Sequence, residues 1–428
     1  MQNYQSVRGM HDILPEDIAQ WREVEETFRR VCARANFSEI RTPILEHTEL
    51  FSRASGESSD VVVTKQMYSF EGLDGDNYTL RPEGTASVVR AYLQHNLNER
   101  GPVQKLFYIF PIFRYEAPGA GRYRQHHQCG IELLGASGPQ ADAEVLALAR
   151  DFLNELGVFA TLRLNTLGTR DSRRAYVDKL RAFLEPKREG LSEDSKRRFE
   201  LNPLRIFDSK DPRDQEALKG APRLLDHVRE QDAESGEHFK ALCGFLNELS
   251  IPFEIDHNLV RGFDYYSRTA FEWVSDKLGA QSTVLGGGRY DGLVEELGGP
   301  PTPGIGFGCG IERLLLVRAA SMQAASIERE RLAAFVVALG ETAKAATPRL
   351  IKAVRETGLS CDCDLVGRSL KAQMREANRS RARFALIVGD DELAQNAVGL
   401  KDLDAGTQVT LGLEAACDAM KTALSVVA

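Results

Sequence analysis

Apolar residues recur at helical spacing over residues 17–36: Ile18, Trp21, Val24, Phe28, Val31 and Cys32 form one stripe, which predicts an amphipathic helix. An extended segment follows in IRTPILE, where Ile40 precedes Pro43, a residue suited to an edge strand or a strand end. The aromatic and β-branched run KLFYIFPIFRYE (105–116) predicts a strand. After the Gly/Pro loop APGAGR (117–122), QHHQCGIELLG (125–135) predicts a second, so the two should form an antiparallel hairpin with a long tip. Helices are expected over 139–157 and 171–185, and the charged, helical character from about 171 to 252 suggests an insertion between two halves of a β-rich core. Strand pattern resumes in RTAFEWV (268–274). STVLGGGRYDGL then carries a glycine run suited to a tight turn or a close backbone approach. GIGFGCG (304–310) reads as a glycine-rich strand feeding a helix that begins IERLLLV.

The last hundred residues differ. AAFVVALG, CDCDLVG and FALIVG alternate as strands with helical stretches at 341–356 and 368–379, the pattern of a small α/β domain. Residues 321–330 (SMQAASIERE) suit a linker. The expectation is an α+β chain: a core over 1–325, interrupted by the insertion at about 171–252, then an α/β domain over 331–428. A length of 428 residues agrees with two or three domains.

Composition narrows the setting. Hydrophobic residues at 43% and charged residues at 27% provide for a sizeable core. No apolar run reaches the roughly 18 residues of a membrane span, and the N-terminus lacks the apolar stretch of a secretory signal. A cytoplasmic protein with no membrane partner is expected. Seven dispersed cysteines argue against a disulfide framework. Cys361-Asp-Cys363 lacks the second pair a zinc site needs, and the histidines show no HExxH spacing, so no protein-held metal is expected. A formal net charge of −8 does not advertise a nucleic-acid partner, although a local basic surface could serve one.

A few residues break the apolar pattern. Arg114 and Glu116, two apart, are expected to share a face of the first hairpin strand, and Gln128, Gly130 and Glu132 a face of the second. That spacing fits a solvated sheet face or a polar pocket floored by a sheet. In a pocket, an arginine can hold a phosphate through two parallel hydrogen bonds, which lysine cannot match. Glu83, Gly84 and Thr85 in LRPEGT (80–85) end a short extended run and, taken alone, make a common turn. In RGFDYYSRTAFEW (261–273), Arg261 precedes a glycine, and Tyr265 and Tyr266 stand just before a strand. A surface arginine beside packed tyrosines would give the same text. Arg313 falls in the first turn of the helix after GIGFGCG; that segment is neither G-x-G-x-x-G nor a Walker A loop. Finally, Arg368, Lys371, Arg375 and Arg379 lie on one helix face, extended by Arg381 and Arg383, with only Glu376 opposing them between 368 and 383. This is either a solvated face or a footprint for RNA phosphates.

Taken together, these segments resemble histidyl-tRNA synthetases over nearly the whole chain. FSEIRTPILE resembles class II motif 1, a dimer-interface element; FRYE…GRYRQHHQ resembles motif 2; GIGFGCGIERL resembles motif 3. RGFDYYSRTAFEW and GGGRYDGLV resemble the two histidine-specific signatures, and the C-terminal region is similar to the anticodon-binding domain of the histidyl, prolyl, threonyl and glycyl enzymes. The resemblance implies a class II antiparallel-sheet catalytic core with a C-terminal anticodon-binding domain, acting as a homodimer. Its substrates would be L-histidine, ATP (with Mg2+) and tRNA(His).

The resemblance also implies roles. Glu83, Thr85 and Gln128, with Gly84 between the first two, would hold the histidine α-amino group. Glu132 and Tyr266 would bond the imidazole, and Tyr265 and Tyr290 would line its pocket. Arg114 and Arg261 would flank the α-phosphate as the catalytic pair. Arg122 and Arg313 would bind the outer phosphates, Glu116 would help position ATP, and His126 would stack on adenine. Arg368, Lys371, Arg375 and Arg379 would contact tRNA. A polar amino-acid site can reject analogues by roughly 10⁴–10⁵ without editing, so the insertion is expected to touch tRNA rather than edit. The chain departs from the family at Ala117-Pro118-Gly119, where Arg-Pro-Gln is frequent in the loop that reads the acceptor end, and at His126, where phenylalanine is frequent. Histidine-sensing regulatory subunits of ATP phosphoribosyltransferase share the resemblance. They typically lack the anticodon domain and an arginine matching Arg261, both of which this chain keeps.

Overall fold

The computed structural model describes residues 4–55, 66–119, 121–261, 265–278, 283–321 and 331–425. The chain divides into two compact units, Met1–Ala325 and Ser326–Ala428. Most of the expected linker, 322–330, lies outside the described residues.

The strands of the first unit, in chain order, are β1 (Ser38–Glu39), β2 (Leu45–His47), β3 (Tyr68–Glu71), β4 (Asn77–Leu80), β5 (Gln104–Phe113), β6 (Gln125–Leu134), β7 (Thr161–Thr166), β8 (Phe253–Ile255), β9 (Ser267–Val274), β10 (Thr283–Arg289) and β11 (Gly304–Gly310). Eight of them form one sheet in the order β1-β5-β6-β11-β10-β9-β7-β8. Its five inner pairings are antiparallel, and short parallel strands close both edges. Pro43 falls between β1 and β2, which belong to different sheets; β2, β4 and β3 make a small antiparallel sheet of their own.

Alternation gives the large sheet two different faces. Phe107, Cys129, Ile131, Leu133, Ile305, Phe307 and Cys309 point to a core shared with helices that include α1 (Ile18–Arg34), α3 (Pro139–Glu155) and α5 (Ile311–Ser321). The apolar stripe of α1 is buried there as its spacing predicts. The opposite face carries Leu106, Tyr108, Phe110, Tyr265, Tyr266 and Tyr290. Helix α2 (Thr85–Gln94) contributes to this second core. Between β7 and β8 the chain is helical, ending in α4 (Ala233–Glu248).

In the second unit, β12 (Ala334–Ala338), β13 (Cys361–Cys363), β14 (Phe384–Val388), β15 (Ala397–Asp402) and β16 (Gln408–Gly412) form a sheet in the order β13-β12-β14-β15-β16. The first three are parallel, with helices α6 (Glu341–Glu356) and α7 (Leu370–Arg379) between them. β15, with no exposed residue, and the largely exposed β16 add an antiparallel edge that was not anticipated from the sequence.

Candidate active site

The site face of the sheet exists because of where side chains are missing. β11 reads Gly-Ile-Gly-Phe-Gly-Cys-Gly, so its apolar residues fill the core and its other face is bare backbone. In register, Gly306 stands beside Glu132 and Gly310 beside Gln128 on β6. A Cβ on Gly306 would lie 2.2 Å from Glu132 Oε2, and one on Gly308 would lie 1.7 Å from Gln128 Nε2. The polar side chains of β6 therefore lie flat across the neighbouring strand. The glycine run in β10 is likewise strand rather than turn. Of Gln128, Gly130 and Glu132, the last two are buried and Gln128 is half-buried, so this stretch is not a solvated sheet face.

Glu132 is buried at the centre of one end. Thr85 Oγ1 donates to its Oε1 at 2.8 Å, and the Tyr290 hydroxyl donates to Oε2. Burial pushes its carboxyl up to about 8, against the pull of those hydroxyls. The Tyr265 ring packs tilted against Tyr266 at 4.8 Å and meets Tyr290 edge-on at 6.0 Å. Glu83 is also buried; its carboxylate accepts from the amides of Thr85 and Ala86, each at 2.7 Å, and so caps α2. Burial raises its pKa while those amides oppose the rise. Gln128 Oε1 is buried without a hydrogen-bond partner among the described residues.

Arginines gather at the other end of β6. Arg114 Nε donates to the Pro82 carbonyl at 2.7 Å. Glu116 lies between Arg114 and Arg122, at 3.9 and 3.6 Å. Arg313 donates to the carbonyls of Gly121 (3.1 Å) and Thr283 (2.8 Å), and its pKa is lowered by burial and by Arg122. His126, on β6 amid this charge, is pushed down to about 3 by burial, Arg114 and Arg313, so its ring is neutral. Arg261 bonds Glu272 Oε1 at 2.8 Å and the Tyr266 hydroxyl at 3.5 Å, and its Nε is buried with no partner among the described residues. The segment Gly262–Asp264 lies outside the described residues.

Two expectations need correction. β5 ends at Phe113, so Arg114 and Glu116 do not share a strand face. Past Phe113 the chain leaves the ladder: Arg114 N–H still reaches Arg124, but Tyr115 N–H turns to Gln66, and Glu116 N–H folds back to Arg114. The basic stripe is also shorter than its spacing suggests. α7 begins at Leu370; Arg368 precedes it and is held by Asp364 and Glu376, which also holds Arg379. Arg383 is neutralised by Asp402 and Asp404, acids remote in sequence. Lys371 and Arg375 remain exposed on α7 with no ion-pair partner among the described residues. In the same unit a cavity of about 830 Å³ opens by β12 and β13, lined by Val336, Pro348, Ile351, Lys352, Arg355 and Leu365 among others.

Other contributors were not singled out from the sequence. Tyr108 packs on Gly84 and Gly130 and stacks on Phe110 at 4.3 Å. Arg81, only 2% exposed, donates to the carbonyls of Pro111, Thr42 and Pro43 and lies 3.6 Å above the Phe110 ring. Glu312 of α5 accepts from the His127 amide at 2.8 Å and ties motif 3 to motif 2. The only advance signal for Arg81 and Glu312 was their place inside segments already noted.

A mostly antiparallel sheet with this polar face, followed by a separate α/β unit, defines a class II aminoacyl-tRNA synthetase. Residues 9–314 match the family described as "Histidyl-tRNA synthetase", and residues 333–423 match "Anticodon binding domain". The chain is 49% identical to the histidine–tRNA ligase of Synechococcus sp. (strain JA-3-3Ab) over 412 residues, 96% of this chain and 97% of that one. It is 45% identical to that of Bacillus subtilis (strain 168) over 423 residues, 98% of each chain. The crystal structure of apo Staphylococcus aureus ("S. aureus") histidyl-tRNA synthetase matches with a TM-score of 0.80 at 37% identity, covering 98% of this chain and all of that one. The chain belongs to the histidyl-tRNA synthetase family. Its activity is histidine–tRNA ligation with ATP, histidine and tRNA as substrates, and not that of a phosphoribosyltransferase regulatory subunit.

Proposed function

We propose that β6 is the rail along which both small substrates bind, histidine at the Glu132 end and ATP at the His126 end. Six residues separate the two positions, roughly 20 Å at about 3.3 Å per residue, enough for an amino acid and a nucleotide end to end. The observation that carries this reading is the segregation along the strand: buried carboxyl and phenolic groups at one end, clustered arginines at the other.

In this reading Glu83, Thr85 and Gln128 hold the α-amino group, with Gly84 leaving room for Tyr108. The protonated Glu132 carboxyl and Tyr266 bond the imidazole, and Tyr265 and Tyr290 wall it in. Arg114 and Arg261 approach the α-phosphate. The histidine carboxylate attacks the α-phosphorus, pyrophosphate leaves, and the arginines stabilise the negative charge that develops. Arg122 and Arg313 hold the outer phosphates while neutral His126 stacks on adenine. The terminal ribose hydroxyl of tRNA then attacks the adenylate carbonyl and releases AMP.

Mg2+ would arrive on the ATP phosphates, where it neutralises charge. Glu116, a carboxylate amid three arginines, is the oxygen ligand available at that end. No group of three or more potential metal ligands occurs among the described residues.

The remaining assignments are of the same kind. The unit spanning 1–325 is read as catalytic and that spanning 331–428 as anticodon-binding, with Lys371 and Arg375 meeting tRNA phosphates and Arg368 and Arg379 in lesser roles. The helical segment at about 171–252 is read as a further tRNA contact. Dimerisation through the β1–Pro43 region and residence in the cytoplasm follow the family pattern; no helix among the described residues is long and apolar enough to cross a membrane.

ATP–pyrophosphate exchange with each amino acid tests the core of the proposal. Exchange with histidine alone is expected, and silence with histidine would sink it.

A further inference from the structure

Behind the site face lies a charge cluster that none of the assigned roles uses. Asp142 of α3 and Arg289 at the end of β10 form an ion pair whose two side chains are wholly buried. Arg289 Nε donates to Asp142 Oδ1 at 3.0 Å; Nη1 donates to Ala136 O at 2.9 Å and Asp291 Oδ1 at 3.0 Å. Nη2 donates to Gly138 O at 3.3 Å and again to Asp142 Oδ1. All five guanidinium N–H groups are thus used. The second carboxylate oxygen of Asp142 bonds His238 Nε2 of α4 at 2.7 Å and accepts from Thr269 Oγ1 of β9 at 2.5 Å.

A buried ion pair is a poor device for stability, because desolvation offsets most of its attraction. What this one does is fix backbone. Arg289 and Asp291 flank Tyr290, whose ring lies on the site face. Asp291 also accepts from Gly304 N–H at 3.3 Å, and Tyr290 N–H donates to Gly304 O at 2.8 Å. A Cβ on Gly304 would stand 2.3 Å from the Tyr290 ring, so the ring is seated directly on β11. From there its hydroxyl bonds Glu132.

We propose that Asp142 is a positioning residue for amino-acid recognition: through Arg289 it sets the placement of Tyr290, and through His238 it joins that placement to α4 of the helical segment. The proposal rests on the reading of Tyr290 and Glu132 as part of the histidine pocket. It predicts a selective defect, because among the described residues no side-chain hydrogen bond or ion pair joins Arg114, Arg122, His126 or Arg313 to this cluster.

The test is exchange kinetics on Asp142→Asn, with the milder His238→Gln and the direct pocket variant Tyr290→Phe alongside. Asp142→Asn is expected to raise KM for histidine roughly tenfold or more, as small misplacements do, with KM for ATP within about twofold of wild type. His238→Gln should show the same selectivity at smaller size. A folded Asp142→Asn protein with unchanged histidine KM overturns the inference, as does a parallel loss toward both substrates. If Asp142→Asn does not fold, His238→Gln decides: an unchanged histidine KM overturns it. Should Tyr290→Phe raise histidine KM while the other two do not, only the positioning inference fails. Should Tyr290→Phe leave it unchanged, the pocket reading fails and takes the inference with it.

Discussion

Arg261 is aimed by Glu272: Nη1 donates to Oε1 at 2.8 Å, while Thr283 Oγ1 holds the other carboxylate oxygen at 2.7 Å. Glu272 thus orients the guanidinium, and Arg261 Nε stays buried without a partner among the described residues. A positive group held in a pocket before the substrate arrives needs no reorganisation as charge develops. Arg261→Ala is expected to lower exchange by on the order of 10²–10³ or more while leaving the elution volume of the native protein unchanged. Near-wild-type exchange would contradict the assigned role. Glu272→Ala, which frees the arginine without removing it, should cost less in kcat and little in KM for histidine.

Glu132 gives the apo protein a pH signature. Its carboxyl is pushed up to about 8 in the folded chain from an ordinary 4.5, first by burial. Between those values the folded state keeps a proton that the unfolded chain releases. The stability Glu132 contributes is therefore full below about 4.5 and is lost as pH rises through about 8. Glu132→Gln removes that dependence. Its Tm relative to wild type should climb between pH 5 and pH 8.5 in scanning calorimetry, while its KM for histidine rises. Glu83 is raised in the same direction by burial and is present in both proteins, so the difference between them reports chiefly on Glu132. A Tm difference that stays flat with pH would refute the account.

How far the site could be read in advance depended on periodicity. The β5–β6 hairpin came from aromatic and β-branched runs either side of a Gly/Pro loop, and the helix at α1 from helical spacing. Gln128 and Glu132 were visible because polar residues at period two interrupt an apolar strand. Arg81 and Arg289 were not, because a buried arginine is defined by carbonyls and acids brought from elsewhere: Thr42 and Pro111 for one, Asp142 for the other. The misjudged end of the basic stripe has the same origin, since Asp402 and Asp404 reach Arg383 only through strand pairing. The glycine run 286–288 admitted a turn or a close approach, and only the pairing of β10 with both β9 and β11 decides between them.

Glycine on β11 is expected to matter for two distinguishable reasons. At Gly308 the atoms nearest a new Cβ all belong to the Gln128 side chain, the closest at 1.7 Å. Gly308→Ala should therefore displace Gln128 rather than the sheet, raising KM for histidine with Tm little changed. At Gly306 a Cβ meets both Glu132 Oε2 and the Ile131 carbonyl at 2.2 Å. The backbone clash predicts that Gly306→Ala loses Tm as well as activity. Equal Tm losses in the two variants would show that the sheet, not the side chain, yields at both positions.

The C-terminal basic face yields a prediction sharper than its spacing alone allowed. Arg368 and Arg379 both bond Glu376, and Arg368 also bonds Asp364, so their charge is largely committed within the domain. Lys371 and Arg375 carry no such partner among the described residues and stand exposed on α7, while Gln373 and Ala377 face inward. Gln373 fixes the helix by bonding Ala338 N–H and O at 2.9 and 3.1 Å. Phosphate contacts weaken with salt in proportion to their number. The double change Lys371→Glu, Arg375→Glu should raise KM for tRNA and flatten its salt dependence, leaving ATP–pyrophosphate exchange intact. Arg379→Glu should do less to tRNA, because Arg379 is already paired with Glu376 and has less charge to offer a phosphate. If exchange falls together with aminoacylation in the double variant, this face is not an RNA contact. If Arg379→Glu outweighs the double variant, internal pairing does not determine which of these cations meets RNA.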